Sequence, residues 1–200
     1  MMRRRRNFMI IPNFNITPGN TVGDIFINKG IRTFYDAIRA IHNLPYGRLK
    51  DPLELGSVIT EGQGTCSTKH ATLKALTDEH AIYGLQLELI IYAMDNTNTP
   101  GIGNVLEKYD LPYILEAHTV LAYDDEMYDY TFAGTHSMKW RDAVLMQTTI
   151  DTDQIQDYKE DYHKSVLQDW IARDKLAYSL DEIWKIREEC IQELSAVKSH

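Results

Sequence analysis

Cys66 is the residue of this sequence best suited to nucleophilic chemistry. It follows two closely spaced glycines, Gly62 and Gly64, and opens a stretch, residues 66–80, whose pattern predicts a helix. Glycines let a chain turn sharply. The free amides and positive dipole end of a helix N-terminus lower a thiol's pKa and stabilise the oxyanion formed when a thiolate attacks a carbonyl. The sequence therefore predicts a reactive thiolate, with Lys69 as a further positive charge; the alternative is a small core residue.

The second cysteine, Cys190, provides a contrast. It falls in the middle of an apolar helical stripe, far from any turn, which predicts a role in the core. Two cysteines in a chain of 200 residues do not form a disulfide framework. We therefore expect both thiols to be free and the protein to work in the cytoplasm.

His118 and Asp129 are placed to interact across a predicted hairpin. The two strands are predicted over residues 114–123 and 127–132. If the aspartates at positions 124 and 125 form a two-residue turn, His118 and Asp129 share a face as diagonal neighbours, about 7–8 Å apart at the backbone. A three-residue loop would put Asp129 on the opposite face, and Asp-Asp is not a strong two-residue turn signal.

A metal site is the rival interpretation of Cys66. His70 lies four residues further along the same predicted helix, so the two side chains could share one ion. Structural zinc needs four ligands, however, and the sequence offers no second Cys/His pair. We predict no metal and no other cofactor.

The predicted elements run in the order helices, strands, helices. A long helix is predicted over residues 21–42, a short one begins at Asp51-Pro52, a strand spans residues 85–94, and the chain is helical from Asp151 onward. This order predicts an α+β fold with an antiparallel sheet, not a doubly wound one.

Apolar residues at helical spacing form one stripe in each of the three longer predicted helices outside the Cys66 segment. These stripes are Val22, Ile25, Ile31, Phe34, Ile38 and Ile41; Ile155, Tyr158, Tyr162, Val166 and Trp170; and Ile183, Ile186, Cys190, Leu194 and Val197. Ser179 and Glu182 form a capping box that begins the last helix.

Composition excludes several classes of partner. The chain fits one domain, 44% of its residues are hydrophobic, and its formal net charge is −8. Without the four arginines at positions 3 to 6 the charge would be −8 − 4 = −12, which repels a phosphate backbone, so nucleic acid is not an expected partner. No apolar run approaches the roughly 18 residues that span a membrane. The arginines resemble the core of an export signal, but the apolar run ends at Pro12, so we expect a basic leader over residues 1–20.

Three segments resemble the transglutaminase-like superfamily. The sequence from Gly62 to Ala71, GQGTCSTKHA, is similar to the Gly-x-Cys segment that opens the catalytic helix of these proteins. HTVL at residues 118–121 resembles their histidine strand, and DYTF at residues 129–132 resembles their Asp-Pro-Thr element. The segments occur in the family's order, and the resemblance covers roughly residues 45–133.

The resemblance implies a papain/transglutaminase-like core, with the cysteine helix packed on an antiparallel sheet, within one domain of residues 1–200 that ends in a helical tail, residues 151–200. It also implies acyl chemistry through a thioester on an amide of a peptide, protein or small molecule, with Cys66 as nucleophile, His118 as base and Asp129 orienting the histidine. The tryptophan that precedes the cysteine in the family's transferases is missing here. Tyr46 and Gln63 are the candidate oxyanion donors in its place.

Other functions fit the same residues. An N-acetyltransferase of small amines would use the same triad, a catalytically silent binding module would use the same scaffold, and an assembly role could rest on the helical tail. The loop at residues 95–104 either borders the cleft or is a plain surface connection. The triad alone does not choose between hydrolysis and transfer.

Overall fold

The computed structural model describes residues 11–133 and 138–197, with side chains as far as residue 194. The four arginines and the side chain of Val197 lie outside the described residues. The helices are α1 Thr21–Asn28, α2 Phe34–His42, α3 Ser57–Glu61, α4 Cys66–Glu79, α5 Gly103–Lys108, α6 Asp157–Asp174 and α7 Leu180–Val197. The strands are β1 Gln86–Met94, β2 Ile114–Tyr123, β3 Glu126–Tyr128 and β4 Val144–Ile150, and a short 3-10 helix spans Lys139–Ala143.

The described elements form an α+β fold around one antiparallel sheet, as predicted. The four strands lie in the order β3-β2-β1-β4, and α4 and α6 both pack against β2. Six consecutive side chains of β1, from Leu87 to Tyr92, are buried. Burial of both odd and even positions means that both faces of this central strand are covered.

The hairpin between β2 and β3 has the register predicted from a two-residue loop. Asp124 and Asp125 have φ values of 52° and 65°, which are typical of a type I′ turn. Leu121 pairs with Tyr128, which brings position 120 opposite position 129. The predicted strand over residues 127–132 is too long, because pairing stops at Tyr128 and the Asp129 carboxylate then accepts hydrogen bonds from the backbone N–H and hydroxyl of Thr131.

The helix predicted over residues 21–42 is two helices. Gly30, at φ +78°, ends α1, and the N–H of Ile31 closes the end by donating to the Phe26 carbonyl. Thr33 then caps α2. The segment at Asp51-Pro52 is a turn and not a helix start, since the Asp51 carboxylate accepts the N–H two residues on, and α3 begins six residues later, at Ser57.

A strand that was not predicted, β4, lies between the 3-10 helix and α6. The predicted stripe of α6 is confirmed in part. Ile155 and Trp170 are buried and Tyr162 and Val166 pack against the core, but Tyr158 is 42% exposed, and the buried His163 and Leu167 were not in the predicted stripe. The α7 prediction is confirmed for the described side chains. Ser179 and Glu182 form the capping box, and the four members of the predicted stripe from Ile183 to Leu194 are buried. Among the described residues, no helix is long and apolar enough to cross a membrane.

Candidate active site

The N-terminus of α4 presents Cys66 as its first helical residue. Thr65 caps the helix, because its hydroxyl accepts the Thr68 N–H and the Thr68 hydroxyl accepts the Thr65 N–H. Gly64 bridges to Tyr46, and a Cβ at Gly64 would lie only 2.9 Å from the Lys69 Cγ. The close approach that fixes the turn before Cys66 therefore needs a glycine.

Cys66, His118 and Asp129 meet at one point. Cys66 and His118 line the same cavity and interact electrostatically, and His118 Nε2 lies 2.9 Å from Asp129 Oδ2. Because Nε2 is held by the carboxylate, Nδ1 is the ring nitrogen available to sulfur. The structure therefore brings the three predicted residues together. His118 lies in β2, and Asp129 lies in the turn that follows β3.

Asp129 accepts hydrogen bonds at both carboxylate oxygens. The Thr131 N–H and hydroxyl donate to Oδ1, and Trp140 Nε1 donates to Oδ2 from 3.2 Å. Burial raises the pKa of Asp129, but His118, His70 and the Thr131 hydroxyl outweigh burial and hold the pKa well below its usual range. The Trp140 ring also packs edge-on against His118, with centroids 5.5 Å apart. The pair is thereby shielded from water by a residue that sequence reasoning did not single out.

Lys159, on α6, completes the charge arrangement and was also not predicted. Its Nζ lies 3.6 Å from Cys66 Sγ, 2.8 Å from Ser67 Oγ and 3.2 Å from Thr119 Oγ1. Burial raises the pKa of the Cys66 thiol, but Lys159 and then His118 outweigh burial and lower it to about 6. Burial lowers the pKa of His118, but Asp129 and Cys66 raise it to about 10. At neutral pH the pair is therefore a thiolate facing an imidazolium.

Replacing Lys159 with methionine will raise the pKa of the Cys66 thiol, because the ammonium is the largest influence that lowers it. We expect alkylation of Cys66 by iodoacetamide to slow roughly tenfold near pH 7 and to recover above the ordinary thiol pKa of about 8.5. Rates measured across pH on the intact protein check this. Lys164→Met on the same helix, which removes an exposed partner of Glu160, is the control. An unchanged pH profile in Lys159→Met would contradict the assignment.

Lys69 and His70 are structural supports of the site. Lys69 is fully buried, and its ammonium donates to the carbonyls of Leu44 and Thr131 at 2.5 and 2.7 Å. The ammonium is thus held by these carbonyls, and it also interacts electrostatically with Cys66, as the prediction of a further positive charge requires.

His70 also does not point to the Cys66 thiol. Its Nδ1 donates to the Cys66 carbonyl at 2.8 Å, and its Nε2 accepts the Tyr130 N–H at 2.7 Å. Burial lowers the pKa of His70 to about 4, so the ring is neutral at pH 7. Both nitrogens are thus used in the protein, which argues against a metal ion shared with Cys66. Among the described residues, no group of three His, Cys, Asp or Glu is arranged to hold a metal.

The two predicted oxyanion donors are placed differently. Tyr46 lines both cavities that meet at Cys66, whereas the Gln63 amide donates to the Arg48 carbonyl at 2.8 Å. Cys190 is fully buried, as predicted, and burial raises its pKa to about 12. Only one of the two thiols is therefore ionised at neutral pH.

Two cavities flank Cys66. The first has a volume of about 220 Å³ and is lined by Cys66, His118 and Asp129. The loop at residues 95–104 borders it through Asn98, Thr99 and Pro100. The other, of about 510 Å³, is polar and contains Lys159 and the α4 N-terminus. The Cys66 thiolate can therefore add to a carbonyl, with His118 as proton donor on one side. On the other side, the N–H groups of the α4 N-terminus and the Lys159 ammonium can stabilise the resulting oxyanion.

No protein-family model, no curated protein and no solved structure matches the chain.

Proposed function

We propose that this protein is a cysteine-dependent amide hydrolase or acyltransferase that works through a thioester on Cys66. One observation carries the proposal: Cys66, at the first position of a buried helix, borders the same cavity as His118, and the Nε2 of His118 is held by Asp129. Nucleophile, base and orienting carboxylate in this order are the elements of acyl transfer.

The reaction follows from the geometry. The Cys66 thiolate attacks the amide carbonyl, a C–S bond forms, and the carbonyl π electrons move to oxygen. The amide N–H groups at the α4 N-terminus, together with Tyr46 or Lys159, hold the oxyanion. The oxyanion then collapses, the C–N bond breaks, and His118 gives its proton to the departing amine. Asp129 keeps the imidazole in one tautomer throughout.

The second half of the cycle sets the reaction type. His118, now neutral, takes a proton from the incoming water or amine, which attacks the thioester and releases Cys66. Water as acceptor gives hydrolysis, and an amine gives transfer.

The arrangement of elements supports a transglutaminase-like core. The cysteine helix α4 packs on β2, which carries the histidine, and the aspartate follows the adjacent hairpin. In our proposal α6 is part of this site as well, because it supplies Lys159. Both cysteines are free, which favours a reducing compartment such as the cytoplasm.

The test is a search for the acyl-enzyme. We expect an activated ester such as p-nitrophenyl acetate to give a burst of nitrophenol and an acyl adduct that peptide mass spectrometry places on Cys66. Cys66→Ala will give neither. Decay of the adduct in water, with and without added primary amines, separates hydrolysis from transfer. A Cys66 that is not acylated and titrates like an ordinary thiol would overturn the proposal in favour of a binding module.

A further inference from the structure

The smaller cavity at Cys66 is walled by apolar and aromatic side chains. Tyr92 and Met94 come from β1, Pro100 from the following loop, Trp140 from the 3-10 helix, and Ile191 and Leu194 from α7. Elements distant in sequence thus converge on the space beside the triad. The volume, about 220 Å³, exceeds the roughly 150 Å³ of an apolar cavity that holds a benzene ring.

Several polar side chains also line this cavity, and four of them, Tyr92, Asn98, Thr99 and Glu116, make hydrogen bonds within the protein. Both oxygens of Glu116 are held by Arg187, at 2.7 and 2.6 Å. The Asn98 amide donates to the Ala93 carbonyl and accepts from the Thr99 hydroxyl, which lies 3.2 Å from the Tyr92 hydroxyl.

Away from Cys66 and Tyr46, which border both cavities, a polar group entering this space would have to break those hydrogen bonds or remain without partners. A buried unpaired polar group costs roughly 1–3 kcal/mol judged by protein mutations. An apolar group has no such cost and gains from leaving water. The cavity therefore selects for apolar character, whereas the larger cavity, which contains Lys159, Arg48 and Gln156, is suited to a polar remainder of the substrate.

We propose that the substrate is an amide carrying an apolar substituent next to the attacked carbonyl, an aromatic ring or an aliphatic chain of roughly six to eight carbons, which the smaller cavity binds. This substrate class rests on the proposed function of Cys66. The cavity itself is testable without turnover, because an alkylating reagent reaches the same thiolate.

The experiment uses N-substituted iodoacetamides with methyl, propyl, hexyl, benzyl and dodecyl groups, and a 2-hydroxyethyl reagent as the polar control. Second-order rates at Cys66 are divided by rates with a free small-molecule thiol. We expect the normalised rate to rise about three- to fourfold per methylene up to the hexyl reagent. The benzyl reagent will have a normalised rate comparable to that of hexyl, and the dodecyl reagent a lower one. Equal normalised rates for all reagents, or a hydroxyethyl rate equal to propyl, would overturn the proposal.

Two variants of one wall residue test where the group binds. Leu194→Phe narrows the cavity and will move the optimum to shorter chains, while Leu194→Ala will move it to longer ones. Ile183→Ala, which removes a buried side chain from the same helix but not from this cavity, will leave the optimum unchanged. An optimum that ignores both Leu194 variants would place the binding elsewhere. Failure of the proposed function is a separate result: matched acyl esters would form no thioester although the alkylation preference persists.

Discussion

His118→Ala will slow acylation of Cys66 by about 10²–10⁴-fold, the usual contribution of a positioned acid–base group. Two effects combine in this loss. The departing amine no longer receives a proton, and the thiol loses the imidazolium that helps to lower its pKa. Single-turnover acylation with an amide substrate measures the sum. Acylation by p-nitrophenyl acetate, whose leaving group needs no proton, will be slowed less.

The pH dependence of the acylation rate in the wild-type protein also reports on the Cys66–His118 pair. Reaction requires the thiolate, which forms as pH rises through about 6, and the imidazolium, which is lost as pH rises through about 10. We therefore expect a bell whose limbs belong to the coupled pair and not to either residue alone. In His118→Ala the alkaline limb will vanish and the acid limb will move upward.

His80→Ala provides the control for histidine removal. His80 caps the far end of α4, about 20 Å from Cys66 at 1.5 Å per residue. Its variant will keep both limbs of the profile. If His118→Ala acylated an amide substrate at the wild-type rate, the proposed role of His118 would be wrong.

Arg187→Met will destabilise the fold by about 3–5 kcal/mol, the usual cost of leaving one member of a buried ion pair without its partner. Glu116 is 5% exposed, and Arg187 binds both of its carboxylate oxygens. Burial raises the pKa of Glu116, but Arg187 outweighs it and lowers the pKa below its ordinary value. Without the guanidinium, burial is opposed only by the smaller effects of His163 and Lys159 on the pKa of Glu116. Urea unfolding of the variant and the wild type measures the difference.

The loss in Arg187→Met depends on pH in a defined direction. The pair stabilises the wild-type fold above the ordinary pKa of about 4.3, and this contribution fades as pH falls. In the variant Glu116 protonates more readily. The difference in the free energy of unfolding between wild type and variant will therefore be largest near neutral pH and will decrease as the pH falls.

Two further variants test the ion-pair explanation. Removing both charges, in Glu116→Leu with Arg187→Met, will restore most of the stability. Arg48→Met, which breaks an ion pair whose arginine side chain is 69% exposed, will cost less than about 1 kcal/mol. A double variant as unstable as Arg187→Met would show that packing, and not the unpaired charge, dominates.

The part of the site near Cys66 could be predicted because its signals are local. A glycine turn before a helix singled out Cys66, and a two-residue loop placed His118 and Asp129 on one face of the hairpin. That Cys66 lies beside them was implied only by the resemblance to the transglutaminase-like superfamily. The loop itself carried a weak signal: aspartate tolerates the left-handed region that a type I′ turn requires, but less readily than asparagine or glycine.

The other contributors depend on contacts distant in sequence. Lys159 lies 93 residues from Cys66, and no spacing rule indicates where α6 docks. Trp140 reaches Asp129 from a short helix next to β4, which was not predicted because that strand is largely exposed. The helix predicted over residues 21–42 was wrong for the opposite reason: apolar spacing continued across Gly30, where the backbone turns.

The origin of Lys159 in α6 has a consequence during translation. A polypeptide whose first 150 residues have left the ribosome already holds the thiol, the imidazole and the carboxylate. It lacks the ammonium that favours the thiolate, the guanidinium that neutralises Glu116, and the side chain of Leu194. The thiol of such an intermediate lacks the largest influence that lowers its pKa, so we expect less thiolate and slower reaction with nearby carbonyls near neutral pH. Full activation of Cys66 therefore requires α6 to dock.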